Sequence, residues 1–387
     1  MEMKKHILFL FGVLAIVVAG CSKDKDVPTS NPDAWKYDVS LPVPIKFGQT
    51  YKVTKGPYID NLSTETKNFG VFGIDKKAES LSAAGNLLYN APALYNAEKK
   101  MLDLVQTTFY PMTNTRFYNF YAYYTNKHIS QVTAEGKKIY VGTNVGEQDI
   151  LYGSSKVTSV QQATIGCDGY NAKYIRSVHA DETIEQADYL PTINFKHVTA
   201  ALQFYVQTPS ASSASVFVEN NISIKNIALK NMPISARLCV VDLGSDRYSD
   251  DGMSVENSAE GTLEPVSVGY LFVKKASGET TTSTLGIYPA VQPVEAGYPL
   301  FIVPQQSAIE GEITMMGYAF DPIPFTLDPS KMADIVTSGE FAAGYKYNIY
   351  LTIHSPEKVE IKVTVEAWKD GFLNGDKVNK NDEIELG

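Results

Sequence analysis

The stretch YKYNIYLTIHSPEKVEIKVTVEA, at residues 345–367, decides the fold class of this chain. Apolar and polar residues alternate along both of its arms, on either side of a turn at residues 355–357. One side of the two arms carries Tyr345, Tyr347, Ile349, Leu351, Ile353, Val359, Ile361, Val363 and Val365. A period of two on both sides of a short turn predicts an antiparallel β-hairpin with one face in a core and the other in water.

The same alternation recurs through the rest of the chain. A second hairpin is predicted from residues 128–133 and 138–142, and further strands are predicted at 115–124, 192–207, 222–229 and 298–304. Helical patterns are short and are confined to residues 80–87, 97–105 and 328–337, while the serine-rich stretch 209–215 is interpreted as a hairpin loop. Many short strands between Gly, Pro, Asn and Ser clusters predict an all-β protein of two tandem antiparallel β-sandwich domains with a few short helices.

The N-terminus indicates export and a lipid anchor. Lys4 and Lys5 precede an apolar run at residues 7–19, and Gly20 then leads to Cys21. This pattern is typical of a secretory signal and is too short to span a bilayer as a permanent helix. Its ending is typical of a lipobox, in which Cys21 is acylated and holds the chain on a membrane. The charged residues 22–26 resemble the signal that sends bacterial lipoproteins to the outer membrane and the cell surface.

These features divide the chain into five predicted parts. They are a lipoprotein signal peptide at 1–20, a flexible tether at 21–38, an N-terminal β-sandwich domain at 39–190, a C-terminal β-sandwich domain at 191–372 and a C-terminal tail at 373–387. The division near residue 190 follows a polar stretch that ends in Pro191, directly before a long alternating run.

Composition and motifs argue against several classes of function. The 43 acidic residues outnumber the 34 Lys and Arg residues, and the chain has no long basic run. Such an acidic surface argues against nucleic acid as a partner. No nucleophile elbow, zinc-protease motif or phosphate-binding loop occurs, and the acidic run 242–251 lacks the spacing of a calcium loop. We therefore expect no enzyme activity, no metal and no cofactor. The sequence is compatible both with a disulfide between Cys167 and Cys239 and with two buried free thiols.

The order of several short motifs resembles the fimbrillin family. The motifs are NLLYN (86–90), FYP (109–111), FYNFYAYY (117–124), DILY (149–152), INFKHVTAALQF (193–204), the strand 222–229, FIVPQ (301–305), AGYKY (343–347) and WKDG (368–371). The family contains outer-membrane lipoproteins that serve as shaft, tip or anchor subunits of type V pili. The resemblance implies two transthyretin-like sandwiches, no cofactor, and partners that are other pilin subunits bound by strand exchange. A host or bacterial surface ligand is a further expected partner.

The resemblance also implies a removable first strand. In the family's shaft pilins a protease cuts after an arginine and removes the lipidated leader with the first strand, but the first arginine here is Arg116. The remaining candidates for processing are Lys46, Lys52 and Lys55. The candidate first strand is residues 39–47, in which Val39, Leu41, Val43, Ile45 and Phe47 alternate with smaller or polar residues. An ordinary, permanent edge strand is the alternative interpretation of these residues.

The tail is the candidate donor strand for a neighbouring subunit. Its good inward-facing residues are only Val378, Ile384 and Leu386. A tail so thin in apolar residues, together with the missing arginine, predicts an accessory, tip or anchor subunit or a stand-alone adhesin rather than a shaft subunit.

An alternative function rests on the aromatic stripe at residues 117–124. Phe117, Tyr121 and Tyr123 share one face of that strand, and Tyr118, Phe120 and Tyr124 share the other. If one face were exposed it would stack on sugar rings, and the protein would be a surface glycan-binding lipoprotein that works with an outer-membrane importer. Two apolar faces also fit a central strand that is buried on both sides.

Overall fold

Strands make up most of the regular structure in the part of the chain that is described. The computed structural model describes residues 33–48, 69–81, 86–96, 99, 101–125, 131–146, 148–181, 183, 185–243, 255–267, 271–274, 280–283, 286–317, 321–332, 339–355, 358–367 and 383–386. The strands are β1 (Phe69–Asp75), β2 (Leu88–Asn96), β3 (Met101–Leu104), β4 (Tyr118–Thr125), β5 (Val132–Glu135), β6 (Lys138–Asn144), β7 (Ile150–Ser155), β8 (Lys196–His197), β9 (Ala200–Gln207), β10 (Ser223–Asp242), β11 (Val255–Ser267), β12 (Leu271–Lys274), β13 (Thr280–Ser283), β14 (Val294–Ile302), β15 (Ile309–Met316), β16 (Ile323–Leu327), β17 (Tyr345–Ser355), β18 (Lys358–Ala367) and β19 (Glu383–Leu386). The all-β prediction is confirmed.

The first sheet has the strand order β3-β2-β1-β4-β7-β8, and its central strands β1 and β4 are buried on both faces. On one face its side chains pack with helices and with the N-terminal residues, in a core that includes Phe69, Phe120 and Tyr174. On the other face Phe72 and Tyr121 belong to a core shared with β6 and β10. Since the side chains of a strand alternate between faces, a strand buried on both sides carries an unbroken apolar run.

The second sheet connects the two halves of the chain. Its order is β16-β15-β10-β6-β5, and β11 also pairs with β10. The first part of the 20-residue strand β10 pairs with β15, and the last part pairs with β6. β5 and β6 precede the division predicted near residue 190, whereas β10 follows it, so one sheet includes strands of both predicted domains.

The third sheet, β14-β9-β17-β18-β19, contains the hairpin that the sequence predicts. β17 and β18 pair antiparallel from Tyr345 opposite Ala367 to Ile353 opposite Val359. Tyr347, Ile349, Leu351 and Ile353 are fully buried in the core between this sheet and the second one. β9 pairs with β17 in the parallel direction, an exception to the expected antiparallel arrangement. β12 and β13 form a separate two-stranded sheet.

Residues 82–85 and 333–337, which belong to the stretches expected to be helical at 80–87 and 328–337, lie outside the described residues, and a 3-10 turn begins the second stretch. The helices of the described residues are short, as expected. They are α1 (Ser159–Ile165), α2 (Ala172–Ala180), α3 (Gln186–Tyr189) and α4 (Ala211–Glu219), with 3-10 turns at Ala34–Lys36 and Pro329–Met332. The helix expected at 97–105 is wrong, because β3 lies there and pairs with β2. The loop expected at 209–215 is also wrong. The Ser210 side chain caps α4 by accepting from the Ser213 N–H, and Phe217 is buried.

Candidate functional site

The candidate site is the N-terminal stretch 33–48, here called the leader segment, with the surface that it covers. The Ile45 N–H donates to the Thr108 carbonyl at 2.8 Å, and the Tyr110 N–H donates to the Val43 carbonyl at 2.9 Å. Pro44 and Phe109 thereby form an antiparallel bridge. These two bonds place the leader segment along the edge of the chain that follows β3.

The regular pairing is shorter than the nine-residue strand that the alternation suggests. Asp38 accepts hydrogen bonds from both the N–H and the hydroxyl of Ser40, and its carbonyl accepts from the Leu41 N–H. Such an aspartate-centred turn bends the backbone before the paired residues begin. Val39 is consequently 72% exposed, whereas Leu41 is partly buried against the core. Val39 therefore does not share the buried face of the candidate strand.

The remaining three residues of the candidate strand face the core. Val43, Ile45 and Phe47 are buried together with the aromatic side chains of the first sheet and α2. The Phe47 ring meets the Phe120 ring edge to face, with centroids 5.2 Å apart. Burial of an aliphatic or aromatic side chain of this size contributes about 1.5–3 kcal/mol each. The leader segment therefore covers an apolar surface that would face water without it.

A second set of contacts joins the leader segment to α2. The Arg176 guanidinium donates to the carbonyls of Leu41 at 2.5 Å, Trp35 at 3.3 Å and Asp38 at 3.5 Å. One turn further along the helix, the His179 ring meets the buried Trp35 ring edge to face at 5.1 Å. Sequence analysis did not identify Arg176 or His179, because about 140 residues separate them from Trp35 and only the tertiary fold brings them together.

Lys46 is accessible within this site. Its side chain is 55% exposed, and its ammonium nitrogen lies 3.8 Å from an Asp33 carboxylate oxygen. Hydrogen bonding to Lys36 holds the pKa of Asp33 below its ordinary value, so this carboxylate stays charged near neutral pH. Cutting after Lys46 would separate the buried Ile45 from the buried Phe47. Cys21, Lys52 and Lys55 lie outside the described residues.

The tail is described only at β19. There Ile384 lies opposite Val363 and Leu386 lies opposite Ile361, in antiparallel register with β18. β19 thereby forms one edge of the third sheet. Val378 lies outside the described residues.

The aromatic stripe at residues 117–124 is not a surface. Tyr118, Phe120, Tyr121, Tyr123 and Tyr124 are all buried, and they contribute to the cores on both sides of β4. The strand is therefore a central one, and the stacking surface that the glycan-binding alternative requires is not present there.

Other chemically notable residues are structural. His197 in β8 is buried and lies 2.8 Å from an Asp149 carboxylate oxygen. Cys167 and Cys239 are buried free thiols rather than a disulfide. Within the described ranges, no group of three or more His, Cys, Asp or Glu side chains is placed to hold a metal ion. The helices of the described part of the chain are all too short or too polar to cross a membrane.

The chain is similar to several solved structures, whereas no curated protein matches it. A candidate cell adhesion protein from Bacteroides uniformis is 15% identical with a TM-score of 0.48, covering 86% of this chain and 100% of that chain. The fimbrial anchor protein Mfa2 from Porphyromonas gingivalis is 12% identical with a TM-score of 0.39, covering 85% and 98%. Candidate polysaccharide-binding proteins from Bacteroides thetaiotaomicron are 10% identical with a TM-score of 0.43, covering 84% and 98%.

The family assignment comes from a sequence match over most of the chain. A family model described as fimbrillin-like matches residues 57–368. The match begins after the leader segment and includes every described strand except β19, and it confirms the resemblance carried by the short motifs. The chain belongs to the fimbrillin-like family.

Proposed function

We propose that this protein is a lipid-anchored, cell-surface subunit of a pilus with a structural or adhesive role. Membership of the fimbrillin-like family supports a fimbrial or adhesive role at the cell surface. The lipobox-like sequence before Cys21 supports anchoring in the outer membrane through an acylated cysteine. The partners are other pilin subunits, together with a host or bacterial surface ligand.

The observation that carries this proposal is the surface that the leader segment covers, here called its seat. Without Val43, Ile45 and Phe47, the apolar surface beneath them would be exposed. The Thr108 carbonyl and the Tyr110 N–H would lose their backbone partners at the same time. An open edge beside an apolar groove is the surface to which an extended strand from another chain adds. Displacement of the leader segment therefore fits strand exchange between subunits.

Two features favour an accessory, tip or anchor subunit over a shaft subunit. The first arginine of the chain is Arg116, so processing before the first sheet would follow Lys46, Lys52 or Lys55. The described strand of the tail, β19, is four residues long and pairs with β18 of its own sheet. A shaft subunit needs a donor strand that leaves its own domain readily and fills the neighbour's groove with large apolar residues.

The test compares protein that begins at residue 22 with protein that lacks residues 1–55. We expect the shorter protein to form ladders of strand-exchanged oligomers on unboiled gels. A synthetic peptide of residues 33–48 should suppress the ladders and raise the melting temperature, because it refills the seat. The control peptide carries Val43→Ser, Ile45→Ser and Phe47→Ser.

Two results would contradict parts of this proposal. Protein lacking residues 1–55 that stays monomeric and ignores the peptide would exclude strand exchange at this seat. Long filaments that disappear on deletion of residues 373–387 would identify a shaft subunit instead.

A further inference from the structure

Exposed apolar side chains concentrate around the leader segment. Ten large apolar side chains are exposed among the described residues, and five of them lie either in this segment or within three residues of the stretch 108–110 with which it pairs. These five, here called the anchor-proximal patch, are Tyr37, Val39, Val105, Phe109 and Met112. Tyr37 and Val39 are exposed by 84% and 72%. Isolated exposed apolar residues need no explanation, but a concentration of them marks an interaction surface.

The patch comes from two chain segments that the fold brings side by side. The bridge between Pro44 and Phe109 joins the two segments side by side. α2 ties both together, since Arg176 holds the Leu41 carbonyl and the Lys173 N–H donates to the Asn114 side chain at 3.1 Å. The Val105 N–H donates to the Pro92 carbonyl at 3.0 Å and so fixes the far end to β2.

The length of chain before Asp33 limits what can cover this patch. Eleven residues, 22–32, separate Asp33 from Cys21. Fully extended, they reach about 40 Å, so an acylated Cys21 keeps the patch within that distance of the lipid headgroups. The bilayer is the apolar surface to which the acylated chain would be permanently tethered. It therefore stays within reach of the patch at all times.

The chemistry of the patch also suits a lipid surface. Tyrosine is enriched at membrane interfaces, where its ring lies among the acyl chains and its hydroxyl among the headgroups. The leader segment carries no net charge, because Lys36 and Lys46 are offset by Asp33 and Asp38. Attraction should therefore depend on apolar contact rather than on anionic lipid, and it should persist at high salt.

We propose that the anchor-proximal patch docks on the lipid surface and holds the first sheet of the protein against the membrane. The proposal rests on the lipidation of Cys21 that belongs to the proposed function. Docking at this patch would turn a simple tether into a defined orientation, with the leader segment next to the bilayer.

The test uses full-length lipidated protein in vesicles of phosphatidylethanolamine and phosphatidylglycerol. An environment-sensitive fluorophore is attached to Val39→Cys or Phe109→Cys, since Cys167 and Cys239 are buried. Val218→Cys on α4 is the matched control, because Val218 is also largely exposed, at 62%. We expect the labels at 39 and 109 to shift to the blue and gain at least about twofold in emission on vesicles, as apolar insertion predicts, while the label at 218 does not change.

The outcomes separate docking from anchoring. The protein could float with vesicles, and lose flotation on Cys21→Ser, while the labels at 39 and 218 respond alike. That result would overturn docking and leave anchoring in place. Protein with Cys21 intact that is recovered from cells without an acyl chain and never floats with vesicles would overturn anchoring and docking together. A gain at residue 39 in vesicle-free solution, as the concentration of Cys21→Ser protein rises, would assign the patch to a second copy of the chain and overturn the proposal.

Discussion

Phe47→Ala should loosen the leader segment while the rest of the fold persists. The Phe47 side chain is 1% exposed and packs edge to face on Phe120. Truncation of a buried Phe typically costs about 3–5 kcal/mol. Near Phe47 the backbone of the leader segment makes two strand-type bonds to residues 108–110 and one bond from the Gly48 N–H to the Pro191 carbonyl. Because this pairing is short, the seat can partly relax and the lower value applies. A loss of about 3 kcal/mol raises the population of the detached state roughly 100-fold.

Trp35 provides the assay, because it is buried within the leader segment itself. In a Trp368→Phe background, Trp35 is the only tryptophan left, since the chain has two. Urea titration followed by its emission should show detachment at a lower urea concentration for Phe47→Ala. Val39→Ala is the control, and its exposed position predicts a change within about 0.5 kcal/mol. Equal midpoints for the two variants would refute the conclusion that Phe47 holds the leader segment in place.

Three further predictions concern Arg176, four buried tyrosines and Cys21. Arg176→Ala should lower stability by about 2 kcal/mol, the value for hydrogen bonds to a charged group. It should also speed hydrogen exchange at the Ile45 amide and at the Gly48 amide, which donates to the Pro191 carbonyl. Arg237→Ala, which removes an exposed ion pair with Glu135, should leave both amides unchanged. Burial raises the pKa of Tyr123, Tyr124, Tyr170 and Tyr347 to about 12. The unfolded chain then releases protons more readily than the folded one, so stability should fall as the pH rises from about 10 to 12, with a cooperative rise in tyrosinate absorbance; gradual titration without unfolding would contradict this. Cys21→Ala should abolish incorporation of labelled fatty acid and leave an uncleaved precursor, and continued labelling would exclude Cys21 as the lipid site.

Much of the candidate site could be anticipated from local pattern. Alternation identified Val43, Ile45 and Phe47 as inward-facing residues, since the side chains of an extended chain alternate between two faces. The turn at Asp38 interrupted this pattern at Val39, because a side chain that bonds the backbone two residues further on bends the chain whatever the alternation. The seat itself, at Thr108, Tyr110 and Arg176, depends on contacts across 60 to 140 residues, and no local signal encodes them.

The sequence by itself determined the all-β class, the hairpin at residues 345–367 and the family, because strand period, turn residues and motif order are local properties of the chain. Only the tertiary structure decided that β4 is buried on both faces, that β17 pairs with β9 in the parallel direction and that β10 joins strands from both halves. The physical reason is that a strand leaves its backbone donors and acceptors to be satisfied by whichever strand lies beside it. Which strand becomes that neighbour depends on how the apolar faces of all the strands and helices are buried at once.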